Sequence, residues 1–276
     1  MAATLSFPVD TPGGPRTARV VHERRGTGRP LVLLHGIGHH WQAWEPVLDI
    51  LAVERDVIAV DLPGFGASPA LPDGVPYSLE GVVPVLGALF EALSVDRPDV
   101  AGNSLGGLLA LELGRVGLVR SVTALSPARF WNEAERRYAF GVLSAMRMGA
   151  RRLPLPLVER LARSAAGRAA LTGTIYARPG RRSPEAVVAE TRALREAVGF
   201  EATLAAGGAG LFTGDVADVP VTIGWGSRDR LLLRRQGVRA KQVIPGARLV
   251  RLPGCGHVPM SDDPALVARV ILDGSR

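Results

Sequence analysis

The chain has 276 residues, a formal net charge of +7 and one cysteine; that is enough chain for a single large domain burying about three-quarters of its extended surface, and it excludes an intrachain disulfide. The charge does not argue for nucleic acid. Of 33 basic residues only Lys241 is lysine, the excess gathers between Ala128 and Phe200 with fourteen Arg against six Glu, and no RNP, zinc-knuckle or helix-turn-helix pattern accompanies it, so this stretch reads as a solvated basic helical face.

In chain order, "MAATLSFPVDTPGGPR" puts prolines, glycines and an acid where a signal peptide carries a basic segment and an apolar run, which predicts a cytoplasmic chain. No apolar stretch reaches the roughly 18 to 20 residues of a membrane span. Thr17 to Glu23 predicts an early strand, and Leu31 to Gly36 ("LVLLHG") a fully apolar, central one. Val57 to Val60 is the next strand, followed by the glycine-proline loop "DLPGFGAS". Ser78 to Leu93 reads as a helix in spite of Gly81, Pro84 and Gly87. Pro98 to Gly102 is a strand that runs through Ser104 into a helix over Leu105 to Val116, and Ser121 to Leu125 is a further strand. From about Ala128 to Gly210 strand patterns stop and the chain becomes helical, rich in Arg, Ala and Leu. Strands resume at Val219 to Gly226 and in "ARLVRLPG", separated by a helix near Arg234 to Val243. A last helix has Asp263 as N-cap and Pro264 at its first position.

Alternating strands and helices predict an α/β fold with a mainly parallel sheet, a core formed by 1–127 and 211–276, and an inserted helical cap over 128–210. Within it, "GNSLGG" is the first chemical signal. A strand that turns into a helix in so few residues strains the backbone at Ser104, projects its hydroxyl, and aims the Leu105 N–H at a developing oxyanion. The glycine-flanked serine alone is weak in a chain with 33 glycines. A serine nucleophile needs a base, and of His22, His35, His39, His40 and His257 the last sits in a loop after a strand and before the final helix, as a mobile general base requires. Asp229, in the loop after "VTIGWG", is the matching acid, with Asp61, Asp262 and Asp263 as rivals; Asp262 and Asp263 fit better as capping groups. His39 and His40 adjoin the oxyanion loop, as pocket or structural residues. Cys255 reads as a packed small residue, and no Cys/His cluster has zinc spacing, so neither metal nor organic cofactor is expected.

With "LVLLHGIG", "DLPGFGAS", "GNSLGG", "WGSRD" and "GCGHVPMSDDP" in this order, the sequence resembles the α/β-hydrolase superfamily with small helical caps, over nearly everything outside the cap. The resemblance implies a Ser104–Asp229–His257 triad, a second oxyanion N–H from Ile37 beside that of Leu105, and a structural role for "DLPGFGAS". Serine at the elbow departs from epoxide hydrolases and haloalkane dehalogenases, which place Asp there. "GNSLGG" is also similar to the "GNSMGG" of hydrolases that cut carbon–carbon bonds in vinylogous diketones, but those carry Trp after the catalytic His, where this chain has Val258.

The expected activity is hydrolysis of a small-molecule ester with a small or medium apolar acyl group. Carbon–carbon, lactone or thioester hydrolysis is the alternative within catalysis, and a ligand-binding receptor the alternative outside it. The aromatic and sulfur-bearing residues Phe130, Trp131, Tyr138, Phe140, Met146 and Met148 of the cap, with Trp41 and Trp225 of the core, suggest an apolar pocket. The candidate substrate-binding residues are Trp41, Asn103, Trp131, Trp225 and Val258.

Overall fold

The computed structural model describes residues 2–276 except 209, 215 and 217. Among the described residues, eight strands form one sheet: β1 (Ala3–Val9), β2 (Arg16–Arg25), β3 (Arg29–Leu34), β4 (Arg55–Val60), β5 (Asp99–Asn103), β6 (Ser121–Leu125), β7 (Val221–Gly226) and β8 (Arg248–Leu252). Their order across the sheet is β1-β2-β4-β3-β5-β6-β7-β8. The β1/β2 and β2/β4 pairs are antiparallel, and all pairs from β4 to β8 are parallel. The central strands explain their own position. Residues Leu31–Leu34 of β3 and Val57–Val60 of β4 are unbroken aliphatic runs with essentially no exposure, as strands covered on both faces must be.

Two elements escape a reading of local pattern. β1 lies at the sheet edge, pairs only with β2 and carries Pro8, which lacks a ladder donor and is tolerated at an edge; only its Phe7 and Val9 are buried. Helix α1 (Glu45–Ala52) follows a short 3-10 turn at Trp41–Trp44 and buries Val47, Leu48 and Leu51. The remaining helices of the core are α2 (Leu79–Ala92), α3 (Leu105–Arg115), α9 (Arg235–Val243) and α10 (Pro264–Gly274). In α10 the Asp263 carboxylate accepts from the Leu266 N–H at 3.1 Å, the expected cap. α2 continues through Pro84 because Val83, Val85, Leu86, Leu89 and Phe90 are buried on the sheet, and that packing outweighs the lost backbone bond.

Between β6 and β7 lie α4 (Glu133–Arg152), α5 (Leu155–Ala162), α6 (Ala165–Thr172), α7 (Pro184–Glu196) and α8 (Phe200–Gly207), a helical insertion at the position of the expected cap. α4 begins with a reciprocal capping box between Asn132 and Glu135, which satisfies two of its orphan donors.

The arginines of this cap are not all a solvated face. Arg147 is 4% exposed and donates to Glu201 Oε1 at 2.9 Å, to the Ala197 carbonyl at 2.7 Å and to the Leu194 carbonyl, binding α4 to the segment between α7 and α8. Glu135 accepts from Arg235 and Arg239 of α9, fastening the cap to the core. Arg137 and Arg151 remain largely exposed, so the basic surface is real but thinner than the composition implies. No helix among the described residues is long and apolar enough to cross a membrane.

Candidate active site

The central feature is the turn between β5 and α3. Ser104 has φ 56° and ψ −112°, a left-handed conformation that costs a non-glycine residue about 1–3 kcal/mol. The turn holds because Ser104 N–H donates to the Leu125 carbonyl at 2.9 Å, while the Ser104 carbonyl accepts from Leu108 and Ala128. It also requires α3 to lie against β3: a Cβ on Gly106 would come within 2.0 Å of the Leu34 carbonyl oxygen. Leu105 is the first residue of α3, so its N–H has no partner within the helix.

The loop after β3 faces this elbow. His39 N–H donates to the Gly36 carbonyl at 3.2 Å, closing a turn with Gly38 at φ 73°, a conformation that favours glycine. The Ile37 N–H is outside that bond. Behind the loop, His35 Nδ1 donates to the Gly36 carbonyl at 2.7 Å and Nε2 accepts from the Leu62 N–H at 3.0 Å. Burial pushes the His35 imidazole down to about 3, so it remains a neutral strut.

Asp229 and His257 come together behind Ser104. His257 Nδ1 lies 2.9 Å from Asp229 Oδ2, and Asp229 Oδ1 accepts from the N–H groups of Leu231 and Leu232 at 3.0 and 2.9 Å. With both oxygens engaged, the carboxylate is fixed and holds the imidazole by one nitrogen. Ser104 and His257 line one small cavity of about 40 Å³ together with Ile37, His39, Glu190 and Val258. On the other side of Ser104 a second cavity of about 50 Å³ is lined by Leu105, Leu108, Trp131, Phe140, Leu143 and Leu204 among others.

The rival acids have other tasks. Asp61 accepts from the N–H groups of Trp41 and Ala67 at 2.6 and 2.8 Å and shapes the "DLPGFGAS" loop. Asp262 is not a helix cap: its carboxylate accepts from the N–H groups of Ala177, Arg178 and Gly256, joining the cap to the loop that carries His257. Cys255 is fully buried, and burial pushes its thiol up to about 12, which removes the thiolate that a nucleophile needs.

Burial drives the Asp61 carboxyl up to about 6 from 3.8. Between these values the folded state keeps a proton that the unfolded state has released, so this group's contribution to stability declines as pH rises from about 4 to 6. His35 and His40, both held low by burial, act in the opposite sense. The measurement is therefore the difference in urea-unfolding free energy between the native sequence and Asp61→Asn, which is expected to shrink steadily over that pH interval.

The five candidate substrate-binding residues separate. Trp131 lines the second cavity and Val258 the first. Trp41 instead lines a wide outer groove of about 880 Å³ between core and cap, away from Ser104. Trp225 lies under α9, against Gly237, and its indole donates to the Leu232 carbonyl at 3.0 Å; it braces the segment after Asp229. Asn103 reaches the first cavity, yet its amide donates to the carbonyls of Leu125 at 3.1 Å and His257 at 2.9 Å. It is a strut that fixes the His257 backbone beside the elbow. Removing it takes the amide donor from the buried His257 carbonyl, while the Leu125 carbonyl keeps the Ser104 N–H, so Asn103→Ala should lower stability by about 1–3 kcal/mol, measured by chemical denaturation. Of the other aromatic and sulfur residues, Phe140 and Met146 line the two cavities. Phe130 packs on Phe212, and Tyr138 and Met148 are exposed.

Sequence reasoning passed over Glu190. It stands on α7, is 6% exposed and lines the Ser104 cavity. Its one local signal was a carboxylate at a position where neighbouring Val187 and Leu194 of the same helix face inward. Among the described residues, no group of three or more His, Cys, Asp or Glu is arranged to hold a metal ion.

The parallel sheet, the helical insertion after β6 and the serine at a strained strand–helix turn define an α/β-hydrolase architecture. The model of the alpha/beta hydrolase family matches residues 31–270, and the chain belongs to that family. It is 33% identical over 270 residues to the pimeloyl-[acyl-carrier protein] methyl ester esterase of Methylococcus capsulatus, covering 90% of this chain and 95% of that protein. It is 43% identical over 89 residues to the 2-hydroxy-6-oxo-2,4-heptadienoate hydrolase of Pseudomonas putida, a match spanning 31% of this chain and 32% of that relative. Among solved structures it is similar to a thermophilic esterase from Thermogutta terrifontis, with TM-score 0.73 and 22% identity over 97% of both chains. The enol-lactonase of Burkholderia xenovorans gives TM-score 0.74 and 19% identity over 96% of this chain and 98% of that one. The chain is a hydrolase by family.

Proposed function

We propose that the chain is a serine hydrolase that cleaves a carboxylic ester through an acyl-enzyme. The observation that carries this is the Asp229–His257 pair, 2.9 Å apart, opening on the same cavity as the strained Ser104. Ser104 Oγ attacks the ester carbonyl carbon as His257 takes its proton, and the carbonyl electrons collect on an oxyanion held by the N–H groups of Ile37 and Leu105. Collapse breaks the carbon–oxygen bond to the alcohol, and His257 returns the proton to that leaving oxygen. Water then gives a proton to His257 and attacks the acyl carbon, the bond to Oγ breaks, and the proton goes back to Ser104. Asp229 stabilises the imidazolium in both halves. Every step uses groups of this chain.

Because His257 must protonate the leaving group, the cavity that it lines is the leaving-group side, and the apolar cavity beyond Leu105 takes the acyl chain. In this reading 128–210 is the lid over a core of 1–127 and 211–276. A panel of p-nitrophenyl acetate and butyrate, lactones, thioesters and vinylogous diketones tests the reading, with labelling by a fluorophosphonate probe alongside. Turnover of the simple esters with a fluorophosphonate adduct on Ser104 is the expected result. A clear preference for the diketones would assign carbon–carbon cleavage instead. Neither turnover nor labelling would leave a binding protein.

A further inference from the structure

The leaving-group cavity has polar walls besides the reacting groups. Apart from the reacting groups it is walled by Leu143, Met146, Ile175, Leu194 and Val258, and then by His39 and Glu190. Glu190 Oε2 is occupied, accepting from Arg182 and from the Tyr176 hydroxyl at 3.2 Å. The Arg182 guanidinium is itself stacked on the Tyr176 ring at 3.8 Å, and it does not line the cavity. Burial would raise the Glu190 carboxyl, but the adjacent Arg182 and His39 overcome that and hold it down to about 2; it is a carboxylate at neutral pH. His39 Nε2 stands 3.1 Å from Glu190 Oε1, an ion-pair contact that helps hold that carboxyl down. The other ring nitrogen, Nδ1, of this 7% exposed residue has no hydrogen-bond partner among the described residues.

A buried polar side chain without a partner is costly unless something completes it. What the cavity offers beside Ser104 is an imidazole and a carboxylate oxygen among mostly apolar walls. A second anion would meet the Glu190 charge, and among the described residues no Arg or Lys lines this cavity. A hydroxyl or amide N–H can donate to this pair.

We propose that His39 and Glu190 form a specificity subsite for the leaving group, selecting alcohols that carry a second, uncharged hydrogen-bond donor, such as a hydroxyl, over apolar or anionic ones. This rests on Ser104 acting as the nucleophile and His257 as the acid that serves the leaving group. A site built to pair a hydroxyl discriminates strongly against the analogue that lacks it, because its own polar groups are then left unpaired.

The test uses the full chain and three esters of butyric acid matched in size at the alcohol: 2-hydroxyethyl, propyl and carboxymethyl. Hydrolysis is followed by pH-stat titration. The expected result is a kcat/KM for 2-hydroxyethyl butyrate at least about tenfold above that for propyl butyrate, with carboxymethyl butyrate the poorest. His39→Leu, which leaves the Glu190–Arg182 pair in place, should bring the first ratio close to one, and His39→Gln should retain part of it. A ratio near one in the native sequence, a preference for the carboxymethyl ester, or a ratio unchanged by His39→Leu would overturn the subsite. In parallel, calorimetric titration of the Ser104→Ala variant with the 2-hydroxyethyl and propyl esters reads the subsite without turnover. Tighter binding of the hydroxyl ester with no hydrolysis by the native sequence would reject the hydrolase reading and keep the subsite; equal binding with active hydrolysis would do the reverse.

Discussion

Ser104→Ala should lower kcat/KM for p-nitrophenyl butyrate by about 10⁴-fold or more, with kcat carrying the loss, and should abolish fluorophosphonate labelling. A loss of that size corresponds to about 5.5 kcal/mol of transition-state stabilisation. The cavities beside Ser104 remain in the variant, so binding should persist while chemistry stops. The same position makes an opposite prediction for stability. Ser104 has φ 56°, which glycine adopts without steric cost, so Ser104→Gly should unfold at higher urea concentration, a gain of about 1 kcal/mol, while losing activity as completely as the alanine variant. A variant that becomes more stable and inactive together is the signature of strain held at the site. Residual activity above a hundredth of the native value in either variant would remove Ser104 from the nucleophile's role.

Gly106→Val should prevent the chain from reaching its native fold. A side-chain carbon there would come to 2.0 Å from the Leu34 carbonyl oxygen, 2.5 Å from its carbon and 2.7 Å from the His35 carbonyl oxygen. These are backbone atoms of the central strand β3 and of the turn that follows it, hydrogen-bonded on both sides and unable to step back without breaking the sheet. Even Gly106→Ala should cost more than about 3 kcal/mol, a large part of the 5–15 kcal/mol that holds a typical domain together. Gly141→Ala is the matched control. Nothing lies within 4 Å of a Cβ at Gly141 in the middle of α4, so the substitution should be neutral or stabilise by up to about 1 kcal/mol. Equilibrium urea denaturation of Gly106→Ala and Gly141→Ala, with soluble yield and circular dichroism for Gly106→Val, reads both outcomes.

The helical insertion has consequences beyond covering Ser104. Asp262 binds three backbone N–H groups, two from the segment after α6 and one from the His257 loop. Arg147 and Glu135 tie α4 to the α7–α8 segment and to α9. The helical insertion is therefore joined to its surroundings at several charged and polar points, and Glu190 of α7 stands 3.1 Å from His39 in the loop after β3. In the Arg235–Glu135 and Arg147–Glu201 pairs one partner is largely exposed, 63% for Arg235 and 54% for Glu201, so each contributes little to net stability.

Local chemistry made much of this molecule readable in advance. The aliphatic runs of β3 and β4, the helix over Leu105–Arg115 and the Asp263 cap of α10 follow from side-chain period and turn residues. The pairing of Asp229 with His257 was suggested by their order and loop positions, and their atoms meet at 2.9 Å. β1 was passed over because a strand with Pro8 and only two buried residues derives its stability from pairing with β2, a partner that its own residues do not announce. α1 was missed for a similar reason, since eight residues are too few to establish a period on their own.

What the sequence determined by itself is the class of the protein: the α/β architecture, the serine at the strand–helix elbow, and an acid and a histidine following it in loops on the same edge of the sheet. What only the tertiary structure decided is the work of side chains whose partners lie far along the chain. Asn103 sits inside the motif but serves the His257 backbone, Trp225 braces the Asp229 loop from beneath, Asp262 joins lid to core, and Glu190 meets His39. The physical reason is range. Periodicity and turn chemistry are set by neighbours a few residues away, whereas hydrogen bonds between distant loops depend on sheet register and on how the lid docks, and these are fixed only when the whole chain packs at once.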